Sequence, residues 1–221
     1  MKLIFDALSK YVVGFLILSV FLFVPAGSLD YYNAWLFLAL LFIPMLILGI
    51  VMIFKSPQLL KKRLNTKEKQ KTQKGVLVLS GIMFPLGFVI CSLDFRFGWS
   101  TVPTWCVLIS SLSLLLGYTL YAVVMKQNQY LSRTIEMQDD QKVIESGLYK
   151  IVRHPMYLST ILMFVPLPLI LGSLWGLIPF GFYPIIIAVR IIDEEKFLTE
   201  KLLGYLEYKK KVKYRLIPFI W

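Results

Sequence analysis

The sequence predicts an all-α fold, a polytopic bundle of transmembrane helices, on three observations. Hydrophobic residues fill 57% of the 221 positions and charged residues only 17%. Apolar runs of span length recur along the chain, and basic residues gather between those runs rather than inside them. A water-soluble domain of this size needs more polar surface, which excludes a soluble globular enzyme, a disordered tail and a coiled coil. A span takes about 20 residues to cross roughly 30 Å of hydrocarbon, so little chain is left for an extramembrane domain. Any site must be made of span ends and short loops.

Full spans are expected at residues 11–29, 35–54, 75–93 and 102–125. The first begins after Lys2 and Lys10 much as a signal peptide does, but no small-residue cleavage site follows, so it reads as a retained helix. A longer apolar block at 156–189 is interrupted by Gly172 and Ser173, which predicts two shorter helices in a hairpin. Pro166, Pro168, Pro179 and Pro184 should bend its arms. Prolines at membrane depth need neighbours that re-satisfy the freed carbonyls, so the hairpin should pack against protein. The whole chain, 1–221, reads as one domain: a four-span bundle to residue 125, then a polar loop, the hairpin and a C-terminal helix.

The formal charge of +11 comes from 24 Lys and Arg against 13 Asp and Glu. Its placement between spans suits bilayer orientation and anionic lipid better than nucleic acid. Residues 55–74 carry Lys55, Lys61, Lys62, Arg63, Lys67, Lys69, Lys71 and Lys74 against the single acid Glu68, which places this segment in the cytoplasm. By alternation, the turns near Asp30, 94–103 and 172–174 lie outside. Segments 126–153 and 196–215 and both termini then lie inside. Cys91 and Cys106 sit in or beside apolar runs, too far apart for a metal-ligand pair, and read as packing residues.

Polar residues concentrate in two inner stretches, 126–157 and 190–215, that flank the hairpin and must meet in space. The first holds Arg153 and the only histidine, His154, directly before Pro155. Proline extends the preceding residue and can open a helix, so both cations stand at a helix entrance that suits an anion. Snorkelling beneath lipid phosphates is the competing reading. In the second stretch Arg190 and Glu194 share a helix face, as an ordinary ion pair would, yet ionisable residues bordering a span commonly face a cavity. Gly204 to Lys211 forms a basic amphipathic piece able to lie on anionic lipid.

Over about its last hundred residues the chain resembles the membrane methyltransferases typified by protein-S-isoprenylcysteine carboxyl methyltransferase, with phospholipid N-methyltransferases as more distant relatives. The residues that carry the resemblance are Gly147-x-Tyr149, Arg153-His154-Pro155-x-Tyr157, Arg190-x-x-x-Glu194-Glu195, Gly204 with Tyr205 and Tyr208, and Leu216-Ile217-Pro218. The resemblance implies methyl transfer from S-adenosyl-L-methionine, held in a cytosolic pocket, to a lipophilic acceptor that arrives from the membrane. It also implies cofactor-binding roles for Gln138, for Gln141, Lys142, Val143 and Ile144, for Tyr149, for His154, Pro155, Met156 and Tyr157, and for Glu194. Arg190 would orient the acceptor. Gln141 stands where relatives commonly have a histidine and cannot titrate.

Methyl transfer from a sulfonium is an in-line displacement with an activated leaving group, so alignment and exclusion of water matter most and no metal is needed. A carboxylate acceptor is already nucleophilic at neutral pH and suits a bidentate Arg190. An amine or thiol acceptor must lose a proton, and His154 is the neutral-pH base available. Tyr149 and Tyr157 could face the sulfonium, or serve as interfacial belt residues. The non-enzymatic alternative, a small transporter or scaffold, would use Arg190, Glu194 and Glu195 as an ion-pair network. A transporter is expected to carry charges or broken helices near mid-span, whereas these charges sit at inner ends.

Overall fold

The computed structural model describes residues 2–64, 71–132, 134, 137–138 and 140–221. Lys67, Glu68 and Lys69 of the basic segment lie outside the described residues. Among those described the regular structure is helical and contains no strand.

Among the described residues four helices are long and apolar enough to cross a bilayer: α1 (Lys2–Ala26), α2 (Tyr32–Lys55), α4 (Lys71–Phe97) and α5 (Thr104–Gln127). At 1.5 Å per residue each extends to about 36 Å or more, against a hydrocarbon core of roughly 30 Å. Between α2 and α4 lies α3 (Pro57–Leu64), which buries Leu59 and Leu60 and carries Lys61, Lys62 and Arg63 in its last turn. The apolar block continues as α6 (Pro155–Phe164), α7 (Leu167–Ile170), α8 (Leu177–Phe180) and α9 (Tyr183–Lys201). The hairpin is therefore segmented further than two arms, and each break lies at or beside a proline or glycine. A final helix, α10 (Tyr205–Lys211), follows Gly204.

The prolines explain how the hairpin is held. Pro166 has no N–H to donate to the carbonyl of Leu162, and Ser113 Oγ on α5 donates to that oxygen instead, at 3.0 Å. Around Pro44 in α2, Tyr118 Oη donates to the Leu41 carbonyl (2.6 Å) and Tyr11 Oη to that of Phe42 (3.2 Å). Ser113 is the neighbouring donor that a proline-broken membrane helix requires, whereas the two tyrosines bond the carbonyls that follow Leu40, the one Pro44 leaves without its N–H. α5 and α6 also approach closely at Gly117, where a Cβ would stand 2.5 Å from Met163 Cγ and 2.9 Å from the Ser159 carbonyl oxygen.

At one end of the bundle the three turns near Asp30, Asp94 and Ser173 are tied together. Tyr31 Oη donates to the Leu171 carbonyl at 2.6 Å. Buried Asp94 accepts from the Ser100 and Ser173 hydroxyls at 2.6 and 2.5 Å. Beneath them Leu22, Phe37, Phe88, Leu114, Ile170 and Phe180 form one core in which Cys91 is also buried. With that end occupied by turns, the polar stretches meet at the other.

Ser113→Ala should lower the thermal midpoint of the detergent-solubilised protein by the equivalent of about 1 kcal/mol. The loss should shrink in a Pro166→Ala background, where the backbone can again bond Leu162. An equal loss in both backgrounds would show that Ser113 does not act through that carbonyl.

Candidate functional site

At the end away from those turns, the loop after α5, the start of α6, the last turns of α9 and α10 line a cleft that is partly open to solvent. Glycine geometry shapes two of its walls. Gly147, which begins the short 3-10 turn Gly147–Lys150, has φ +58°, and a Cβ there would meet the Gln127 amide, whose Oε1 accepts the Leu148 N–H. Gly204, at φ +84°, lets the chain reverse after α9 and turn Tyr205 and Tyr208 inward.

His154 holds the N-cap position of α6 with Pro155 behind it, as the sequence suggests. Its backbone N–H and that of Arg153 donate to the carbonyls of Arg215 and Tyr214, at 2.8 and 2.9 Å. The Arg153 guanidinium does not await an external anion, nor does it snorkel to lipid phosphate. It is 6% exposed, its Nε meets Glu195 Oε1 at 2.6 Å, and its Nη1 donates to the carbonyls of Val212 (2.6 Å) and Lys213 (2.9 Å). The anion that the helix entrance suits is supplied by the chain itself.

Glu195 is the centre of this arrangement. Its Oε1 also lies 3.3 Å from His154 Nε2, and its Oε2 lies 3.0 Å from Arg215 Nε and 3.8 Å from Lys209 Nζ. Burial pushes the carboxyl titration up. The hydrogen bonds from His154, Arg153 and Arg215, with the charge of His154, outweigh that effect and hold it well below the usual carboxylate range.

The preceding residue, Glu194, has a different setting. Tyr157 Oη donates to Glu194 Oε2 at 2.5 Å and accepts from Arg190 Nε at 2.9 Å, so the phenol stands between the two charged groups of α9. Tyr149 Oη accepts from Asn128 Nδ2 at 2.9 Å, and the Tyr149 carbonyl accepts from Tyr208 Oη at 2.8 Å. Burial raises the phenol titration of Tyr149, and it raises that of Tyr205 with help from the nearby charges of Glu195 and Glu194. Both remain neutral hydroxyls near neutral pH.

Gln141, Lys142, Val143, Ile144, Tyr149, His154, Met156, Tyr157, Arg190 and Glu194 all line the cleft. Gln138 and Pro155 are not among its lining residues. Gln138 instead secures the loop: its Nε2 donates to the Tyr130 carbonyl at 2.7 Å, its backbone N–H donates to Gln141 Oε1 at 3.2 Å, and its Oε1 accepts from Lys62 Nζ. Pro155 occupies the first helical position of α6.

Asn128, Tyr130, Thr134, Leu198, Leu202, Tyr205 and Tyr208 also line the cleft. Their spacing on the chain gives no common signal except at Gly204, Tyr205 and Tyr208. A further contribution comes from α3, where a topology signal alone was expected. Arg63 Nη1 donates to the Ser132 carbonyl at 3.0 Å and contacts Met156 Sδ at 3.7 Å, and Nη2 donates to Tyr121 Oη. Ser56 followed by Pro57, with Leu59 and Leu60 between polar residues, is the helix-start signal that could have revealed it.

Residues 107–200 match the family model for the isoprenylcysteine carboxyl methyltransferase (ICMT) family. The matched segment is less than half of the chain and runs from α5 into the last turn of α9, so it contains every candidate site residue from Gln138 to Glu194. It supports assignment to an ICMT-like family of methyltransferases. No curated protein matches the chain.

Replacing the Glu195 carboxylate leaves buried cations without their counter-charge, so Glu195→Gln should destabilise the fold by about 3–5 kcal/mol. Because the folded-state carboxyl titrates below its unfolded value, its stabilisation is complete above about pH 4.5 and is lost as pH falls below that. Between pH 5 and 4 the wild-type thermal midpoint should therefore fall more steeply than that of Glu195→Gln. Parallel midpoint curves would assign the acid sensitivity elsewhere.

Proposed function

We propose that this chain is a membrane-embedded, S-adenosylmethionine-dependent methyltransferase that acts on a lipophilic acceptor, with carboxyl O-methylation of the isoprenylcysteine type as the reaction. The observation that carries the reading is the convergence, on one cleft, of the loop 141–144, Tyr149, the His154 segment, Arg190 and Glu194. The family match over the same residues agrees with it.

The cleft residues fit such a cofactor. Glu194 can accept hydrogen bonds from ribose hydroxyls or an ammonium group, while Val143, Ile144, Leu198 and Leu202 offer apolar surface. Tyr205 lines the cleft, and its buried hydroxyl has no hydrogen-bond partner among the described residues. Buried polar groups are ordinarily hydrogen-bonded, and a bound ligand would supply the missing partner here. S-adenosylmethionine, when bound, supplies the activated methyl group.

The remaining work falls to this chain. Tyr157 joins Glu194 to Arg190 through its hydroxyl and so fixes the acceptor-orienting cation relative to the cofactor side of the cleft. Arg190 presents its guanidinium to the acceptor carboxylate, which needs no base because it is ionised at neutral pH. His154 Nε2 is buried and lies 3.3 Å from the Glu195 carboxylate, which also pairs with Arg215 of the tail. That setting gives no support to His154 as the base for an amine or thiol acceptor. The basic segments beside the cleft suit the cytoplasmic face, and the α6–α9 hairpin adjoining it suits lateral arrival of a lipid-linked acceptor.

In detergent or nanodiscs, S-adenosylhomocysteine should raise the thermal midpoint, by mass action on the native state. Glu194→Ala should abolish that shift. Arg190→Ala should keep the shift and lower methyl transfer to a prenylcysteine analogue by about 100-fold, the scale of losing a charged orienting contact of 2–3 kcal/mol. Absence of any shift in the wild type would overturn the cofactor assignment, and identical behaviour of the two variants would overturn the division of roles.

A further inference from the structure

Five tyrosines line the cleft, and four of their hydroxyls are satisfied within the protein. Tyr130 donates to the Asp140 carbonyl at 3.1 Å, Tyr149 accepts from Asn128, Tyr157 joins Glu194 to Arg190, and Tyr208 donates to the Tyr149 carbonyl. Tyr205 is the exception. It is 4% exposed, and its Oη has no partner among the described residues.

Simple packing does not account for that hydroxyl. Tyr205 shares an apolar cluster with Val124, Tyr149, Leu202, Tyr208 and Val212, where a phenylalanine would pack equally well without leaving a polar atom unsatisfied. The fold holds the ring firmly, because the left-handed Gly204 starts α10 and the Tyr208 ring lies 5.8 Å away. Its strongest charged neighbours are Glu195 and Glu194, which favour the protonated phenol and therefore a donor.

We infer that Tyr205 is a ligand-contacting residue whose hydroxyl donates to an acceptor oxygen or nitrogen of the bound donor nucleotide. The inference rests on the cofactor reading above and extends it to a residue C-terminal to the family match, which ends at residue 200. The hydroxyl is neutral, so it contributes selectivity for a correctly placed acceptor atom rather than charge compensation. Glu194 accepts from the ligand and Tyr205 donates to it, which gives the cleft both polarities of hydrogen bond.

The test is Tyr205→Phe, read by S-adenosylhomocysteine affinity and by the thermal midpoint of the ligand-free protein. Loss of one hydrogen bond that leaves a ligand acceptor unpaired should weaken binding by about 5- to 30-fold. The ligand-free midpoint should hold or rise by about 2–4 °C, because an unsatisfied buried hydroxyl has been removed. Tyr208→Phe, which deletes a bond internal to the protein, should instead lower the ligand-free midpoint. If the wild type binds S-adenosylhomocysteine and Tyr205→Phe binds it equally well, the Tyr205 inference fails while the cofactor reading stands. A fall in the ligand-free midpoint of Tyr205→Phe would also overturn it, by revealing a partner within the protein. Absence of binding by the wild type would overturn both.

Discussion

A carboxylate almost out of reach of water, Glu195, holds the functional end of this protein together. A buried charge without compensation costs several kcal/mol, and Glu195 is compensated by Arg153, His154, Arg215 and, at longer range, Lys209. Glu195 itself stands on α9, and its partners come from three other parts of the chain: the entrance to α6, α10 and the tail after α10. Because each cation is also placed by its own backbone or carbonyl contacts, the cluster fixes the relative positions of three cleft walls at once. The tail residues Val212 to Arg215 are thereby bound across the His154 segment by both side-chain and main-chain hydrogen bonds.

The adjacent glutamates thus have separate surroundings. One helical step of about 100° turns Glu195 into the protein, where it is 2% exposed, and leaves Glu194 on the cleft. The same helix geometry puts Arg190 one turn before Glu194, with Tyr157 of α6 reaching between them. This arrangement depends on the bent hairpin. α6 and α9 are antiparallel neighbours because the chain turns back through short helices that prolines and glycines interrupt, while Ser113 replaces a bond that Pro166 cannot make. The N-terminal bundle contributes through the same logic: Lys62 and Arg63 of α3 secure the loop that carries Gln138, Ser132 and Gln141.

Much of the fold is legible in one dimension. Hydrocarbon thickness sets a minimum run length, and the four runs at 11–29, 35–54, 75–93 and 102–125 each meet it and each lie mostly within one long helix, although α1 starts earlier, at Lys2, and stops at Ala26 short of the expected end, and α5 starts at Thr104. The Gly172–Ser173 break and the prolines likewise mark where the hairpin must turn. α3 was not legible in that way, since eight residues carry too few periods of apolar spacing to stand out from a basic loop. Among the site residues, those in the motifs could be named because their order along the chain is distinctive. Gln138 belonged to the same stretch, yet a residue beside a cleft and one lining it look identical until the loop has a path.

What the sequence by itself determined is the partition between bilayer and water, the number and order of the spans, and the gathering of chemically active side chains in two stretches on one side of a hairpin. These follow from composition and run length, which are local properties. Only the tertiary structure decided that Arg153 is neutralised from within, that Glu195 rather than Glu194 is the structural anion, that α3 reaches the cleft loop, and that the Tyr205 hydroxyl, alone among those of the cleft tyrosines, has no partner among the described residues. Each of those outcomes depends on which groups meet across tens of residues of intervening chain, and a hydrogen bond or ion pair exists only when distance and burial are fixed together.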